Sequence, residues 1–540
     1  MASFVGASLR NHPSPWLIGL VALFYFWHLG QVELSVTDEA RSGMIVRDML
    51  EGHYLLPRTP DGYLVEKPPA YYGACALLGS LFGVNEWTLR GVSVLAALGT
   101  LAVTAWIVRY FGTPRAAGLA VSALASNILF LTAAREALVD MMLTLFLSVG
   151  FAGYIAGRLG RISPERATGI CGLAFGLAML SKGPLGLVLP IAVCGGDALI
   201  ELRGRFWVVR RPWAPILGVI LLAVAVAALW YGPGLLVGKK EFLETSILSE
   251  NFRMPTGHAT GIGVPHRKPW YYYAEWQGMT VLPFLPLLVA VPSWLRDPAN
   301  RSARLLLGSW ILFGGAFFQA AVNKRFYYLL PLQPAVAAVL GLAADSWMER
   351  PGSRRWSFLA TGVAVALGGI ACAILPFLRV PLAGPRGPEI VAAIARHRDW
   401  VIGFGIAAAL AGVGMAAAVR RGVPALRASA ITLALLVVAA RVGLGDRLLG
   451  DFDRTRPFVR EMTAKIPDTA RPAIYPPIVG YSLDFYWPKP VPRDAAAALD
   501  ADYVLIGQAH QQDLPWAWEE VGSWRYGDAD RTVKLVHRLP

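Results

Sequence analysis

The sequence predicts an all-α polytopic membrane protein with a small α/β domain at its C-terminal end. Of its 540 residues, 55% are hydrophobic and only 16% are charged, an apolar excess that a soluble core of this size does not need. Long apolar segments recur through residue 447, and arginines gather in every second loop between them. After Gly445 the charged and proline content rises and the apolar runs shorten.

The apolar segments are sufficient for about thirteen transmembrane helices, because about 20 apolar residues cross a bilayer as a helix. The two segments that flank Ser181 are short and could also form one broken helix. Tyr71–Phe82 is shorter still and is predicted to be an interfacial or re-entrant helix. The predicted spans are Pro15–Leu29, Trp87–Phe111, Ala116–Leu131, Ala137–Gly157, Thr168–Leu180, Leu185–Ile200, Trp213–Val237, Glu275–Leu295, Leu305–Val322, Phe326–Trp347, Trp356–Leu378, Trp400–Val419 and Ala428–Leu444.

The loop arginines orient these spans. Cytoplasmic loops of membrane proteins are enriched in Lys and Arg, and the arginine-rich loops all fall on the side of Arg10. We therefore expect a plasma-membrane protein, in bacteria the inner membrane, with a cytoplasmic N-terminus and a periplasmic or extracellular C-terminal domain. The same arginines account for the net charge of +14, and no basic tract interleaved with aromatics indicates nucleic-acid binding. The arginines in these loops are Arg109, Arg115, Arg158, Arg161, Arg166, Arg203, Arg205, Arg210, Arg211, Arg296, Arg301, Arg304, Arg350, Arg354, Arg355, Arg420, Arg421 and Arg427.

The composition divides the chain into a transmembrane domain, residues 1–447, and an extracytoplasmic α/β domain, residues 448–540. In the second domain Pro457–Ile466 is patterned as an amphipathic helix, Tyr503–Ile506 as a buried strand and Thr532–His537 as an edge or paired strand. It has no glycine-rich phosphate loop or catalytic pairing. We therefore expect it to be a scaffold or an acceptor-docking domain.

The first polar loop, Ser35–Tyr72, concentrates the candidate chemistry. Thr37 is a good helix N-cap, and Asp38 and Glu39 would lie in the first turn, where acids suit the helix dipole. Apolar residues on one face of the following helix favour a position in the membrane interface. Asp38 and Glu39 could simply cap that helix. Mixed charges in the loops on this side of the membrane are costly unless they serve a site, which favours chemistry outside the cell.

Two motifs in this loop carry a family resemblance. TDEARSGMIVRDMLEG begins at Thr37 and VEKPPAYY at Val65. Their combination resembles the polyprenyl-phosphate-sugar glycosyltransferases of the GT-C superfamily, related to bacterial aminoarabinose (lipid A) transferase and to protein O-mannosyltransferases. The resemblance implies a GT-C membrane fold and a lipid-linked sugar donor in the bilayer. Either motif alone would be a weak signal.

The function predicted on this basis is transfer of a monosaccharide from a polyprenyl-phosphate donor to an extracytoplasmic acceptor by inverting displacement. The acceptor could be lipid A, another glycolipid, a glycan or a protein, and the sugar is open. The alternative is a transporter or flippase of a lipid-linked sugar, because broken helices and buried charges also mark transport paths. Clustering of the charges at one membrane face favours the transferase. A non-catalytic receptor or assembly factor would leave the first loop unexplained.

Asp38 is the candidate catalytic base, because a carboxylate can take the proton of an acceptor hydroxyl or amine. Lys67, followed by two prolines, is the candidate donor-phosphate ligand, as the resemblance implies, although interfacial snorkelling would also explain it. Arg41 and Arg135 could add phosphate contacts or be ordinary surface arginines. Glu39 is expected to support the site.

Three further residues match family elements. The resemblance implies that Tyr328, in NKRFYYLLP, approaches the donor phosphate, that Lys182, in LSKGPLGL, belongs with it, and that Asp140 helps to order the first loop. The alternatives are an interfacial aromatic anchor for Tyr328, a helix break after Lys182, and an ion pair between Asp140 and Arg135.

Glu66 and His266 are candidate ligands for a divalent metal, zinc or magnesium, since a carboxylate and an imidazole can both bind one. The resemblance implies that a histidine before an aromatic helix joins the glutamate of the EKP motif at a metal, and His258 in the same loop is a rival. One departure from the family is that Tyr63 lies four residues before Lys67. A tyrosine is expected three before, where Leu64 stands.

Overall fold

The computed structural model describes residues 13–34, 38–202, 213–253, 268–281, 285–322, 324–349, 355–378, 387–451, 455–476, 481–526 and 531–539. The chain forms two compact units. The first, here the helical unit, comprises Met1–Leu29, Lys67–Tyr71 and Gly91–Leu448. The second, here the mixed unit, comprises Gly30–Glu66, Tyr72–Arg90 and Leu449–Pro540. The mixed unit thus takes in the last domain predicted from composition together with most of the first loop.

The described chain before residue 451 is helical. Its α-helices are α1 (Pro13–Phe26), α2 (Asp38–Leu50), α3 (Ala70–Phe82), α4 (Glu86–Arg109), α5 (Pro114–Ala125), α6 (Ile128–Ala134), α7 (Val139–Arg158), α8 (Pro164–Lys182), α9 (Leu185–Leu202), α10 (Trp213–Phe242), α11 (Tyr272–Val281), α12 (Leu285–Leu288), α13 (Val291–Arg296), α14 (Arg301–Ala320), α15 (Gln333–Met348), α16 (Arg355–Ile374), α17 (Gly387–Arg396), α18 (Arg398–Arg421), α19 (Val423–Ala440) and α20 (Asp446–Gly450). Short 3₁₀-helices lie at Pro298–Asn300, Phe326–Leu332 and Leu375–Phe377, and π-helical turns at Leu243–Arg253 and Arg441–Gly445.

Eight helices in the described part of the chain are long and apolar enough to cross a membrane, or nine if the bent pair α5–α6 is one span. The other four of the thirteen predicted spans are α1, α8, α9 and the run α11–α13, which fall outside this count. Large apolar side chains such as Leu221 and Leu229 on α10 are exposed. Exposed apolar helices of this length suit a lipid solvent. The protein is a multi-pass membrane protein, and the predicted fold class is confirmed.

The structure decides two details of the predicted spans. The pair around Ser181 forms two separate helices, α8 and α9, because the chain turns at Gly183 with φ +70°. The single helix predicted for Glu275–Leu295 is wrong, since the described residues form α11, α12 and α13 instead. Pro286 and Pro292 lie in this stretch, and proline removes a backbone donor and breaks a helix interior.

Small residues allow the helices of this unit to pack closely. Between α16 and α18, the backbones of Gly362 and Gly412 approach so tightly that a Cβ on Gly412 would lie 2.5 Å from the Gly362 carbonyl oxygen. Gly369 of α16 and Gly405 of α18 form an equivalent contact further along the same pair of helices. In lipid, where apolar burial between helices adds little, such close van der Waals contact is a main source of helix association.

The tail of the mixed unit is a four-stranded sheet with helices. Its elements are α21 (Thr455–Lys465), β1 (Pro472–Ile474), α22 (Ser482–Tyr486), α23 (Ala495–Leu499), β2 (Tyr503–Gly507), β3 (Trp518–Tyr526) and β4 (Arg531–Arg538). The strand order is β1-β2-β4-β3, with β1 parallel to β2 and the other pairs antiparallel. Along β2, Leu505 packs with α21 on one face and Val504 lies in a second apolar cluster on the other. Burial of both faces explains the continuous apolar run of this strand.

The predicted helix and the two predicted strands of the tail are present as α21, β2 and β4. The strand β4 is central, because it pairs with β2 on one side and β3 on the other. Sequence patterning missed β1, which has three residues, and β3, which is rich in charged residues and bulged between Glu520 and Gly522.

The first loop is packed against this tail within the mixed unit. Phe485 of α22 lies against Gly43 of α2, where a Cβ would come within 2.5 Å of the ring. The Arg47 guanidinium lies 4.2 Å from the centroid of the same ring. Nearby, Glu86 accepts hydrogen bonds from Tyr486 at 2.7 Å and from Arg456. The C-terminal segment therefore supports the loop helix that begins at Asp38.

The close contact between α16 and α18 predicts a substitution pair. Gly412→Ala would place its Cβ 2.4 Å from the Ala366 backbone nitrogen, so the helices must move apart, at about 1–3 kcal/mol. Gly414→Ala, two residues away with open space at its Cβ, is the control and should be neutral or slightly stabilising. Thermal unfolding of both variants in one detergent would measure this. Equal melting temperatures would contradict the packing role.

Candidate active site

Asp38 is the first residue of α2 and is half-buried. The next residue, Glu39, is buried and forms a two-pronged ion pair with Arg90, whose Nε and one terminal nitrogen each donate to a carboxylate oxygen at 2.8 Å. The remaining donors of Arg90 bind the carbonyls of Val32 at 2.7 Å and Glu33 at 2.8 Å. Because these bonds anchor the turn that contains Asp38, its carboxylate is presented in a defined place. The expected supporting role of Glu39 has this physical basis.

Sequence reasoning did not identify Arg90. It lies in the first turns of α4, inside a segment predicted as a membrane span. An arginine there is expensive unless it has a partner, and that cost was the available signal. The signal shows that a partner exists but does not show that the partner is Glu39, 51 residues earlier in the chain.

Arg41, one turn along α2, is bound by Glu66, with nitrogen–oxygen distances of 2.7 and 2.5 Å. Burial alone would lower the pKa of the Arg41 guanidinium, but the Glu66 carboxylate outweighs it and raises that pKa above its ordinary value. Arg41 therefore stays charged and is committed to Glu66. The pair ties α2 to the residue that immediately precedes Lys67.

The metal prediction meets a constraint here. Both carboxylate oxygens of Glu66 already accept hydrogen bonds from Arg41, so a metal bound there would lie close to the positive charge of that guanidinium. Among the residues described by the structure, no group of three His, Cys, Asp or Glu side chains could hold a metal ion. His258 and His266 lie outside the described residues. The metal site predicted at Glu66 and His266 therefore stays a prediction, and no catalytic step is derived through it.

The EKPP segment keeps part of the expected geometry. Lys67 is half-buried and precedes Pro68 and Pro69, which restrict the backbone. Leu64, which stands where a tyrosine was expected, is buried, and its backbone forms an isolated antiparallel β-bridge with Arg58. Tyr63 is 48% exposed, and its ring centroid lies 5.8 Å from the Arg41 guanidinium carbon.

In the helical unit, the Lys182 cluster consists of Asp140, Lys182, Arg325, Tyr327 and Tyr328. The ammonium of Lys182, at the end of α8, lies 2.5 Å from an oxygen of Asp140 and 4.9 Å from the centre of the Tyr328 ring. Arg325 donates to the Tyr327 hydroxyl at 2.6 Å. The structure therefore brings together three of the predicted residues, Asp140, Lys182 and Tyr328.

Arg325 and Tyr327 were not among the predicted site residues, although they belong to the same NKRFYYLLP segment. A short run that combines cations with tyrosines between two apolar spans was the signal that could have identified them. Within the Lys182 cluster the two cations outnumber the one carboxylate. This excess of positive charge favours an anion such as a phosphate.

Arg135 has different surroundings from those predicted. It is buried, donates to the Tyr25 carbonyl at 2.5 Å and forms an ion pair with Asp446. The ion pair suggested between Asp140 and Arg135 is absent from the pairs described, because Asp140 binds Lys182 instead. Arg135 is thus neither a surface arginine nor presented to a ligand, and its geometry favours a role in holding α1 near Asp446.

Comparison with known proteins agrees with this architecture. Residues 16–237 match the family model of dolichyl-phosphate-mannose-protein mannosyltransferase. This segment contains the first loop with both of its motifs, and also Asp140 and Lys182.

Similar sequences are bacterial sugar transferases. The chain is 27% identical over 351 residues to an undecaprenyl phosphate-α-4-amino-4-deoxy-L-arabinose arabinosyl transferase of Pseudomonas fluorescens, covering 63% of this chain. It is 27% identical over 404 residues to the transferase of that name from Pectobacterium carotovorum, covering 71% of this chain. The chain spans 59% of the length of the first relative and 69% of the second.

The fold also has solved counterparts. The crystal structure of ArnT from Cupriavidus metallidurans bound to undecaprenyl phosphate superposes with a TM-score of 0.76 at 21% identity, covering 97% of this chain and 98% of that one. Its apo structure gives 0.75 at 20% identity, covering 99% and 98%. The chain therefore shares the fold of these ArnT structures over nearly its whole length. The predicted resemblance to the polyprenyl-phosphate-sugar glycosyltransferases related to aminoarabinose transferase and protein mannosyltransferase is confirmed.

The buried ion pair predicts an asymmetric pair of variants. Arg90→Met should destabilise the protein by about 3–5 kcal/mol, because it leaves the buried Glu39 carboxylate without its guanidinium. The double variant Glu39→Met with Arg90→Met should regain most of that loss, since no isolated buried charge remains. Melting temperatures of parent, single and double variants would measure this. A double variant no more stable than Arg90→Met would contradict the pairing as the cause.

Proposed function

We propose that this protein is an integral-membrane glycosyltransferase that moves a monosaccharide from a polyprenyl-phosphate donor to an extracytoplasmic acceptor. The observation that carries the proposal is the construction of the first loop. Asp38 begins a helix held by Glu39–Arg90, and Arg41–Glu66 ties that helix to the residue before Lys67. The matched family segment and the transferase relatives support it.

The proposed reaction is a single inverting displacement. Asp38 takes the proton of the acceptor hydroxyl or amine as that atom attacks the anomeric carbon. The bond from the anomeric carbon to the phosphate oxygen breaks, and its electron pair leaves with the polyprenyl phosphate. Charge on the phosphate grows during the step, so fixed cations stabilise the transition state more than the ground state.

The cations and tyrosines described above are proposed to bind the donor. On this proposal Lys67 and Lys182 hold the phosphate, with Tyr328 beside Lys182. Arg41 supports the loop through Glu66, and Arg135 is structural. The polyprenyl chain lies in the bilayer along the apolar helices. Acceptor choice, among lipid A, another glycolipid, a glycan or a protein, is left open, as is the sugar. A metal at Glu66 and His266 stays a prediction that elemental analysis of purified protein would check.

The membrane orientation is part of the proposal. We place the protein in the bacterial inner membrane, with the N-terminus in the cytoplasm and the tail of the mixed unit outside. A cysteine at Leu539 should react with an impermeant thiol reagent in intact spheroplasts, and one at Arg211 only after permeabilisation. Reaction of both from the same side would overturn this orientation.

The base is tested by Asp38→Asn. Asn caps a helix about as well as Asp, so the variant should fold and bind donor, yet transfer sugar about 10²–10⁴ times more slowly. Asp48→Asn is the matched control, because Asp48 lies on the same helix and accepts from the Arg58 backbone and His53. Melting temperature, donor binding and transfer are measured in one preparation. Activity of Asp38→Asn within a few-fold of the parent would return Asp38 to capping and favour the transporter alternative.

The phosphate ligand is tested by Lys67→Ala. Losing one preorganised charged contact to the leaving group should cost about 10²–10³ in turnover. Lys67→Arg keeps the charge and should retain more activity than Lys67→Ala. Single-turnover transfer with saturating donor would separate the chemical step from binding. A folded Lys67→Ala protein with a near-normal rate would exclude the role.

A further inference from the structure

A closed network of three carboxamides is buried in the helical unit at the start of α15. Gln333, the first residue of α15, is fully buried. Its Oε1 accepts from Asn127 Nδ2 at 2.9 Å and from Gln277 Nε2 at 3.4 Å. Its Nε2 donates to Gln277 Oε1 and to the Leu329 carbonyl, both at 3.0 Å. A primary amide has two donors and two main acceptor positions, so Gln333 uses all of its capacity.

Each of the three side chains lies at or near an interruption of the regular helices. Asn127 lies in the break between α5 and α6, which are bent by 69°, and its Oδ1 accepts from the Phe130 backbone at 3.1 Å. Gln277 lies on α11, the first piece of the interrupted run that replaces a predicted span. Gln333 follows directly on the 3₁₀-helix Phe326–Leu332.

That 3₁₀-helix is the segment that brings Tyr327 and Tyr328 to Lys182. The Gln333 side chain donates to the Leu329 carbonyl within this segment, at 3.0 Å. On the other side of the segment, Phe326 stacks on Trp276, the neighbour of Gln277, with ring centroids 4.8 Å apart. The carboxamide network therefore contacts the 3₁₀-helix that carries Tyr327 and Tyr328 in two ways. Gln333 bonds to the Leu329 carbonyl, and Trp276, the neighbour of Gln277, stacks on Phe326.

We propose that Gln333 is a positioning residue, which through this network holds Tyr327 and Tyr328 against Lys182 and thereby sets the affinity for the donor's polyprenyl phosphate. This inference rests on the proposed function of the Lys182 cluster. A fully satisfied buried polar network specifies one arrangement, whereas a partly satisfied one does not. Gln333 acts on the phosphate only through the segment that it anchors.

The test is binding of undecaprenyl phosphate, without sugar, to the full-length protein in detergent micelles. Gln333→Leu, which removes all four hydrogen bonds at similar volume, should weaken binding about tenfold, equivalent to about 1.4 kcal/mol. Leu342→Ala is the matched control, because Leu342 is buried on the same helix and its truncation lowers stability without touching the network. It should lower the melting temperature and leave the dissociation constant unchanged.

Gln277→Leu provides a second, milder variant that removes two of the four hydrogen bonds of Gln333. It should weaken binding by a smaller factor and serves as the readout if Gln333→Leu does not fold. Parent-like binding by either folded variant, or an equal loss in Leu342→Ala, would overturn the positioning role. If the parent itself does not bind undecaprenyl phosphate, the proposed function fails and this inference fails with it.

Discussion

The first loop depends on a buried pair of opposite charges, Glu39 and Arg90. Removing two ions from water costs several kcal/mol each, and their attraction offsets this only when geometry is good and the other donors are satisfied. Here the guanidinium meets both carboxylate oxygens and two backbone carbonyls, so the condition is met. A weakened pair would free the start of α2, and with it the position of Asp38. The chemistry proposed for the half-buried carboxylate of Asp38 therefore depends on its buried neighbour Glu39.

Charged groups elsewhere follow the same rule, with different consequences. Arg135 is paired with Asp446 and a backbone carbonyl, and Arg427 with Asp345 and Glu349. The positive charges of these two arginines are therefore offset by carboxylates of the protein itself. Lys182 has one carboxylate, Asp140, and otherwise faces aromatic rings, whose negative faces attract a cation less strongly than a second carboxylate would. A cation held in this way keeps the capacity to attract an anionic ligand.

The backbone polar groups at the interruptions of the helices also need partners within the protein. Inside a bilayer, irregular backbone is tolerated only where protein groups satisfy it. The carboxamide network supplies such partners at two places: Asn127 accepts from the Phe130 N–H after the break before α6, and Gln333 donates to the Leu329 carbonyl of the 3₁₀-helix before α15. Where helices run unbroken, as in α16 and α18, close glycine contacts bring the two backbones together.

Much of the fold and part of the site follow from the sequence, because their signals are local. Apolar length predicted most of the helices, period-3.6 patterning predicted α2 and α21, and the two loop motifs singled out Asp38 and Lys67. The proline-rich stretch after α11 misled the span prediction, because average hydrophobicity does not register where a backbone donor is missing. The strand β3 was missed because its charged residues hide the alternation that marks a strand.

Only the tertiary structure decided which charges pair. Glu39 takes Arg90, 51 residues away, Arg41 takes Glu66, 25 away, and Asp140 takes Lys182, 42 away, rather than Arg135 five residues before it. It also joined the C-terminal tail to the first loop in one unit. The sequence by itself determined most of the spans, the loop helix and the residue types available for chemistry, since periodicity and composition are read within a few turns. Which of several available cations a given carboxylate pairs with depends on which helices pack together, and that information is spread over the whole chain.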